Sequence, residues 1–100
     1  MLKEIFRYSQ SFAHTDQLNN SMQEQDWYEF TRVLVNTMSH SGKLDIYYEK
    51  NLKNKLPITY KNHLITEDMH GKNIPATLDL VYELSEAVIS WVKTVKTHRD

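Results

Sequence analysis

The chain has no cysteine among its 100 residues, so disulfides, thiolate zinc sites and cysteine nucleophiles are all excluded. It also has only two glycines and two prolines, which favours long continuous elements over many short strands and turns. No apolar run approaches the roughly 20 residues that a membrane-spanning helix needs. These absences predict one small domain, residues 1–100, without a membrane segment.

The chain also lacks an excess of either charge, because its formal net charge is −1. The chain as a whole therefore has no field that attracts phosphate backbones. The charges are nevertheless segregated along the sequence. Residues 22–30 have acids without a base, residues 43–61 hold five lysines against two acids, and residues 67–86 are acidic again. Any recognition of a charged partner is thus expected to be local.

The amino-terminal stretch MLKEIFRYSQ has an acid at Glu4 and no long apolar centre. A secretory signal peptide has a basic start followed by such a centre. We therefore expect a cytoplasmic protein, and the lack of cysteine fits a reducing compartment.

Three stretches repeat apolar residues at steps of three and four, which is the spacing of one helix face. They predict a first helix over 2–14, a second over 22–40 and a last over 75–97. Ser21 and Glu24 have the spacing of a capping box at the start of the second helix. Its end is predicted at Gly42, which accepts a left-handed conformation.

The connection between the second and last helices has no single interpretation. In residues 44–56, apolar side chains four apart favour a short helix opened by Asp45, whereas the adjacent isoleucine and tyrosines favour a strand. Pro57 ends the preceding element, whether that is a helix or a strand. Residues 58–65 suit a short helix, a hairpin or a loop, and the wider segment 54–74 stays open. The predicted fold is an all-α bundle of about four helices, the third short or irregular.

One group of residues has the composition of a metal site. His63, Glu67 and His70 are spaced i, i+4 and i+7, which would place them on one side of a helix. Imidazole and carboxylate are sound ligands for zinc or iron, but polar residues on one side of a helix are more often solvated. We assign no metal or other cofactor and leave this trio open. No residues meet the requirements for an active site, so we expect a protein that is not an enzyme.

The lysine-rich segment Lys43–Lys61 raises a second possibility. Its lysines alternate with tyrosines, a combination that contacts phosphates and stacks on bases. The flanking acidic segments weaken that interpretation. A small helical regulatory module that binds nucleic acid through Lys43–Lys61 is therefore the alternative hypothesis. A third is a homodimer, with the broad apolar stripe of the last helix as its seam.

The stretch SHSGKLDIYY, residues 39–48, ends in two adjacent tyrosines. Two neighbours in sequence cannot both point inward, whichever element holds them. At least one of Tyr47 and Tyr48 should therefore face outward or be buried by a partner. Tyrosine is favoured at interfaces because its ring is large and rigid and its hydroxyl keeps a hydrogen bond.

The same stretch resembles the immunity proteins of nuclease colicins and pyocins. The resemblance implies a small four-helix protein whose second and short third helices grip a toxin nuclease beside its active site. It implies no cofactor, and a cognate toxin as partner. The residues in the order of that motif are His40, Ser41, Gly42, Asp45, Tyr47 and Tyr48.

This resemblance and the charge pattern lead to one functional hypothesis. A protein that covers a basic, phosphate-binding nuclease needs exposed carboxylates and aromatic anchors. We predict an immunity or antitoxin-type protein that neutralises a cognate toxin by blocking its substrate site. Tyr47 and Tyr48 are the predicted anchors. The predicted charged residues around them are Glu24, Asp26, Glu29 and Asp45.

Overall fold

Helices account for about two-thirds of the residues that the computed structural model describes, which are 2–40, 42–47, 51–74 and 76–97. A small two-stranded sheet accompanies them, so the fold is broadly all-α, as predicted. In chain order the elements are α1 (Leu2–Thr15), α2 (Asn19–Gln23), α3 (Tyr28–His40), α4 (Leu52–Lys55), β1 (Ile58–Tyr60), β2 (His63–Ile65), a 3₁₀ helix (Glu67–Met69) and α5 (Leu78–Thr97).

Helix α1 confirms the first predicted helix, and it packs on α5. Its buried residues lie at steps of three and four, so they form one stripe along the helix. Phe12 meets Trp91 of α5 edge to face, with the ring centroids 6.2 Å apart, and Trp91 meets Trp27 at 6.1 Å. Burial of three such rings against each other contributes several kcal/mol, since each aromatic side chain removes about 150–250 Å² from water.

The second predicted helix, over 22–40, is wrong in its first third. The chain forms the short α2, then a turn, and α3 begins only at Tyr28. Ser21 does not open a helix; it lies inside α2, and its carbonyl accepts a hydrogen bond from the Gln25 side chain at 3.1 Å. The turn brings Trp27 into the core, where it is 3 % exposed. A capping box is worth about 1 kcal/mol, less than the burial of a tryptophan.

The predicted end of this helix is confirmed. Helix α3 ends at His40, and Gly42 has a φ of +77°, in the left-handed region. The Gly42 amide donates to the Thr37 carbonyl at 2.9 Å, which satisfies one carbonyl of the last turn. The chain therefore leaves α3 in a defined direction.

The segment between α3 and α5 is less helical than predicted. Asp45 opens no helix, and the only helix in its described part before Pro57 is the four-residue α4. Leu56 is extended, as the following proline demands. Residues 58–65 adopt the hairpin alternative, with Ile58 paired to Ile65 and Tyr60 to His63. The inner face of the hairpin meets α3, where the Phe30 and Tyr60 rings lie 6.1 Å apart.

The last helix begins three residues later than predicted, at Leu78, and Pro75 lies outside the described residues. The Thr77 hydroxyl accepts the Leu80 amide at 3.2 Å and the Thr77 carbonyl accepts the Val81 amide at 3.0 Å. Thr77 is therefore the N-cap of α5. No helix in the described part of the chain has both the length and the hydrophobicity that a membrane crossing requires.

We predict that Thr77→Ala lowers the free energy of unfolding by about 1 kcal/mol, because it leaves an amide of the first turn of α5 without its acceptor. Urea unfolding followed by circular dichroism measures this difference. Thr94→Ala is the matched control, since the Thr94 hydroxyl donates to the Ser90 carbonyl near the other end of the same helix and accepts no amide of the first turn. Equal stability of the two variants would contradict the capping role.

Candidate functional site

Residues 43 and 44 pair with a distant part of the chain, and Ile46 and Tyr47 follow in a turn. Lys43 bridges Asn73 in antiparallel fashion, the Leu44 amide donates to the Lys72 carbonyl at 2.9 Å, and the Gly71 amide donates to the Leu44 carbonyl at 2.8 Å. Leu44 and Ile46 are buried, whereas their neighbours on either side are exposed. Leu44 and Ile46 thus face the core, and the turn at Ile46 and Tyr47 leaves the Tyr47 ring facing outward.

Tyr47 is 66 % exposed, yet several contacts hold it. Its own amide donates to Asp45 Oδ1 at 2.9 Å, and the neighbouring Ile46 amide donates to His70 Nδ1 at 3.2 Å. The Tyr47 and His70 rings meet edge to face with centroids 5.1 Å apart. The Lys53 ammonium lies 6.0 Å from the centroid of the tyrosine ring, at the limit of a cation–π contact.

We call this surface the aromatic corner and define it as Asp45, Tyr47, Lys53, Glu67 and His70. Its charged groups are two carboxylates and one ammonium. Lys53 Nζ lies 3.3 Å from Glu67 Oε1, and both side chains are more than half exposed. The excess charge of the corner is therefore negative.

A further carboxylate lies next to the aromatic corner in sequence, on the 3₁₀ helix. The Thr66 hydroxyl donates to Asp68 Oδ1. This hydrogen bond, together with a backbone hydrogen bond and the charge of Lys72, holds the pKa of Asp68 below its ordinary value despite slight desolvation. Asp68 is thus ionised at neutral pH and adds to the negative charge of this side of the molecule.

Not every acid predicted from the second helix has a carboxylate that is free to contact a partner. Both oxygens of Glu29 are hydrogen-bonded by the Arg32 guanidinium, at 3.2 and 3.0 Å, and Lys55 Nζ lies 3.8 Å from the second oxygen. Burial alone would raise the pKa of Glu29, but the hydrogen bonds and charge of Arg32 and the charge of Lys55 lower it overall. Glu24 and Asp26 are exposed in the turn before α3 and pair with no described residue.

The lysines of the segment 43–61 are largely matched by carboxylates from other elements. Lys53 pairs with Glu67, Lys55 with Glu29, and Lys61 with Glu83. The last pair is the shortest, at 2.6 Å, and ties the hairpin turn to α5. The hydrogen bond to Glu83, and then the neighbouring Tyr60 and the charge of Glu83, raise the pKa of Lys61. Three of the five lysines of this segment therefore have their charge offset by a carboxylate in the fold.

The trio His63, Glu67 and His70 does not share one side of a helix, which corrects the sequence interpretation. His63 lies on β2, Glu67 begins the 3₁₀ helix and His70 follows its end. His70 also uses Nδ1 to accept the Ile46 amide. Across residues 2–40, 42–47, 51–74 and 76–97, no three side chains of the metal-binding types are grouped so as to hold an ion.

Tyr48, the second predicted anchor, lies outside the described residues. Three residues of the corner were assigned differently by the sequence interpretation: Glu67 and His70 to the metal trio, and Lys53 to the lysine-rich segment. The position of His70 depends on a contact with a residue 24 positions away. The alternation of polar and apolar residues from Lys43 to Ile46 was the available signal for the paired segment. Nothing local in the sequence shows that residues 70–73 pair with it.

No protein-family model matches the chain, and comparisons with curated proteins and with solved structures also gave no match.

We predict that His70→Ala leaves the protein folded but loosens Tyr47, because it removes both the acceptor of the Ile46 amide and the ring that packs on Tyr47. Amide hydrogen exchange at Ile46 should accelerate by about 5- to 10-fold, in line with the loss of one hydrogen bond. His63→Ala is the matched control on the neighbouring hairpin. Unchanged exchange at Ile46 in His70→Ala would show that this imidazole does not hold the corner.

The pH dependence of stability should reveal the Glu29–Arg32 pair. Since the folded-state pKa of Glu29 is lowered, its contribution is present above the unfolded-state value of about 4.3 and is lost as the pH falls through the folded-state value. Glu29→Gln should therefore cost about 0.5 kcal/mol at pH 7, a figure suited to a partly exposed pair, and progressively less below about pH 4. Glu24→Gln removes a carboxylate that has no ion-pair partner among the described residues. It should therefore leave the free energy of unfolding unchanged both at pH 7 and below about pH 4.

Proposed function

We propose that this chain is an immunity or antitoxin-type protein that binds a toxin nuclease through the aromatic corner and blocks its substrate site. The observation that carries the proposal is Tyr47, an aromatic ring that is two-thirds exposed but held by its neighbours. An exposed ring in a fixed position loses little conformational entropy when a partner covers it. Such rings are the typical anchors at the centre of protein interfaces.

The charge around Tyr47 supports a basic partner. Asp45 and Glu67 belong to the corner, and Asp68 follows on the same short helix. A nuclease surface that binds nucleic acid is rich in lysine and arginine. Carboxylates of this kind steer association and fix the orientation of the complex more than they add to affinity. Glu24 and Asp26, which lie further away along the chain, remain proposed contacts to the basic partner. Glu29 could contact the partner only after its hydrogen bonds with Arg32 are broken.

Binding of nucleic acid through Lys43–Lys61 receives less support from the fold. Three of these lysines already neutralise carboxylates of other elements. A phosphate backbone would have to displace those acids, which lowers the gain from each contact.

The proposal is tested by expressing the protein in bacteria together with the nuclease domains of several colicins and pyocins. Protection of growth against at least one of them is the expected result. Tyr47→Ala should then weaken the purified complex by about 30- to 1,000-fold, the equivalent of 2–4 kcal/mol for an interface anchor. Isothermal titration calorimetry measures the loss.

Leu64→Ala is the control, because Leu64 is another exposed apolar side chain and lies on the outer face of the hairpin. It should bind as the unchanged protein does. Full protection by Tyr47→Ala would refute the anchor role. A lack of protection against every nuclease, combined with binding to DNA or RNA that falls steeply with salt concentration, would replace the proposal by the nucleic-acid alternative.

A further inference from the structure

Helix α5 keeps one edge uncovered although its central stripe is buried. Leu84 and Val88 are fully buried in the core, whereas Leu78 is 78 % exposed and Tyr82 is 60 % exposed. Leu78, Tyr82 and the half-buried Ile89 follow at steps of four and seven, so they share one side of the helix. An exposed apolar line along a helix that is otherwise well packed suggests a contact surface.

This line continues into a shallow groove between α5 and α1. The apolar wall of the groove consists of Ile5, Val88, Ile89 and Val92. At its far end stand Tyr8, Lys93 and Lys96. Lys96 donates to the Tyr8 hydroxyl at 3.1 Å and lies 5.6 Å from the centroid of the Tyr8 ring. We call the line and the groove together the α5 edge.

The α5 edge has opposite charges at its two ends. Asp79 and Glu86 are exposed in the first half of the helix, and Lys93 and Lys96 are exposed in the second half. None of these four side chains forms an ion pair with any residue in the described part of the chain. The helix thus offers a negative half and a positive half on either side of Ile89.

This distribution is self-complementary when two helices run antiparallel. We propose that the α5 edge binds a second copy of this chain across a two-fold axis near Ile89. Glu86 of each copy then faces Lys93 of the other, and Tyr82 of each copy reaches the Tyr8–Lys96 end of the groove in the other. The inference is independent of the toxin-binding proposal, which concerns the aromatic corner.

The size of the surface determines how tight this dimer is. A two-fold axis near Ile89 overlaps residues 81–97 of the two helices, a contact about 25 Å long and about 10 Å wide, which gives roughly 250 Å² for each copy. Stable complexes bury about 800 Å² on each partner. Because the contact is far smaller than this, we expect a weak dimer, with a Kd on the order of 0.1 mM, that forms only at high protein concentration.

Sedimentation equilibrium of the full chain, measured up to about 1 mM protein, tests the proposal at low salt, where ion pairs are least screened. The unchanged chain should show a reversible monomer–dimer equilibrium. Glu86→Lys and Lys93→Glu should each weaken it by about 30-fold, because either change replaces two symmetric attractions by two repulsions. The double variant with both changes should recover the original association, since its charges are again opposite across the axis.

Two controls change charge away from the α5 edge. Lys3→Glu lies about 140° around α1 from Tyr8, and Glu24→Lys lies in the turn before α3; both should dimerise as the unchanged chain does. A chain that stays monomeric at about 1 mM would overturn the proposal. A double variant that fails to recover association, although circular dichroism shows it folded, would equally overturn it.

Discussion

The pairing of the Lys43–Tyr47 segment with residues 71–73 is the constraint on which the candidate site depends. Two backbone hydrogen bonds at Leu44 connect stretches that are more than 25 residues apart in sequence. They hold the chain at Leu44, and in the turn that follows Ile46 is buried and Tyr47 faces the solvent. Without this pairing, neither the outward direction of Tyr47 nor its contact with His70 would exist. The site is therefore a product of non-local backbone hydrogen bonding, and its side chains follow from it.

The fold separates lysines that are clustered in the sequence, and this affects which partner the protein can bind. Lysines that are clustered in sequence are distributed among carboxylates of α3, the 3₁₀ helix and α5. These pairs are exposed, so they contribute little to stability. Their larger effect is on recognition, because they remove positive potential from the segment. Asp45 beside Tyr47 stays exposed, and this contrast supports the proposed basic protein partner over the nucleic-acid alternative.

Helix α5 has apolar residues over a wide part of its circumference, and one part of that surface is buried while another is exposed. Its central stripe packs on α1, with Trp91 placed between Phe12 and Trp27. A helix that is apolar over more than the width of one neighbour keeps an uncovered edge after that packing is complete. The α5 edge is that remainder, and the opposite charges at its two ends are the basis of the proposed antiparallel pairing with a second copy.

The sequence by itself determined the elements whose signals are local. Apolar spacing predicted α1 and most of α5, Gly42 predicted the end of α3, and the adjacent tyrosines required that one ring face outward. Tertiary structure alone decided the break before α3, the hairpin and the position of His70 beside Tyr47. In each of these cases burial or hydrogen bonding with a distant segment outweighed a local preference of about 1 kcal/mol, and such partners leave no mark in the spacing of neighbouring residues.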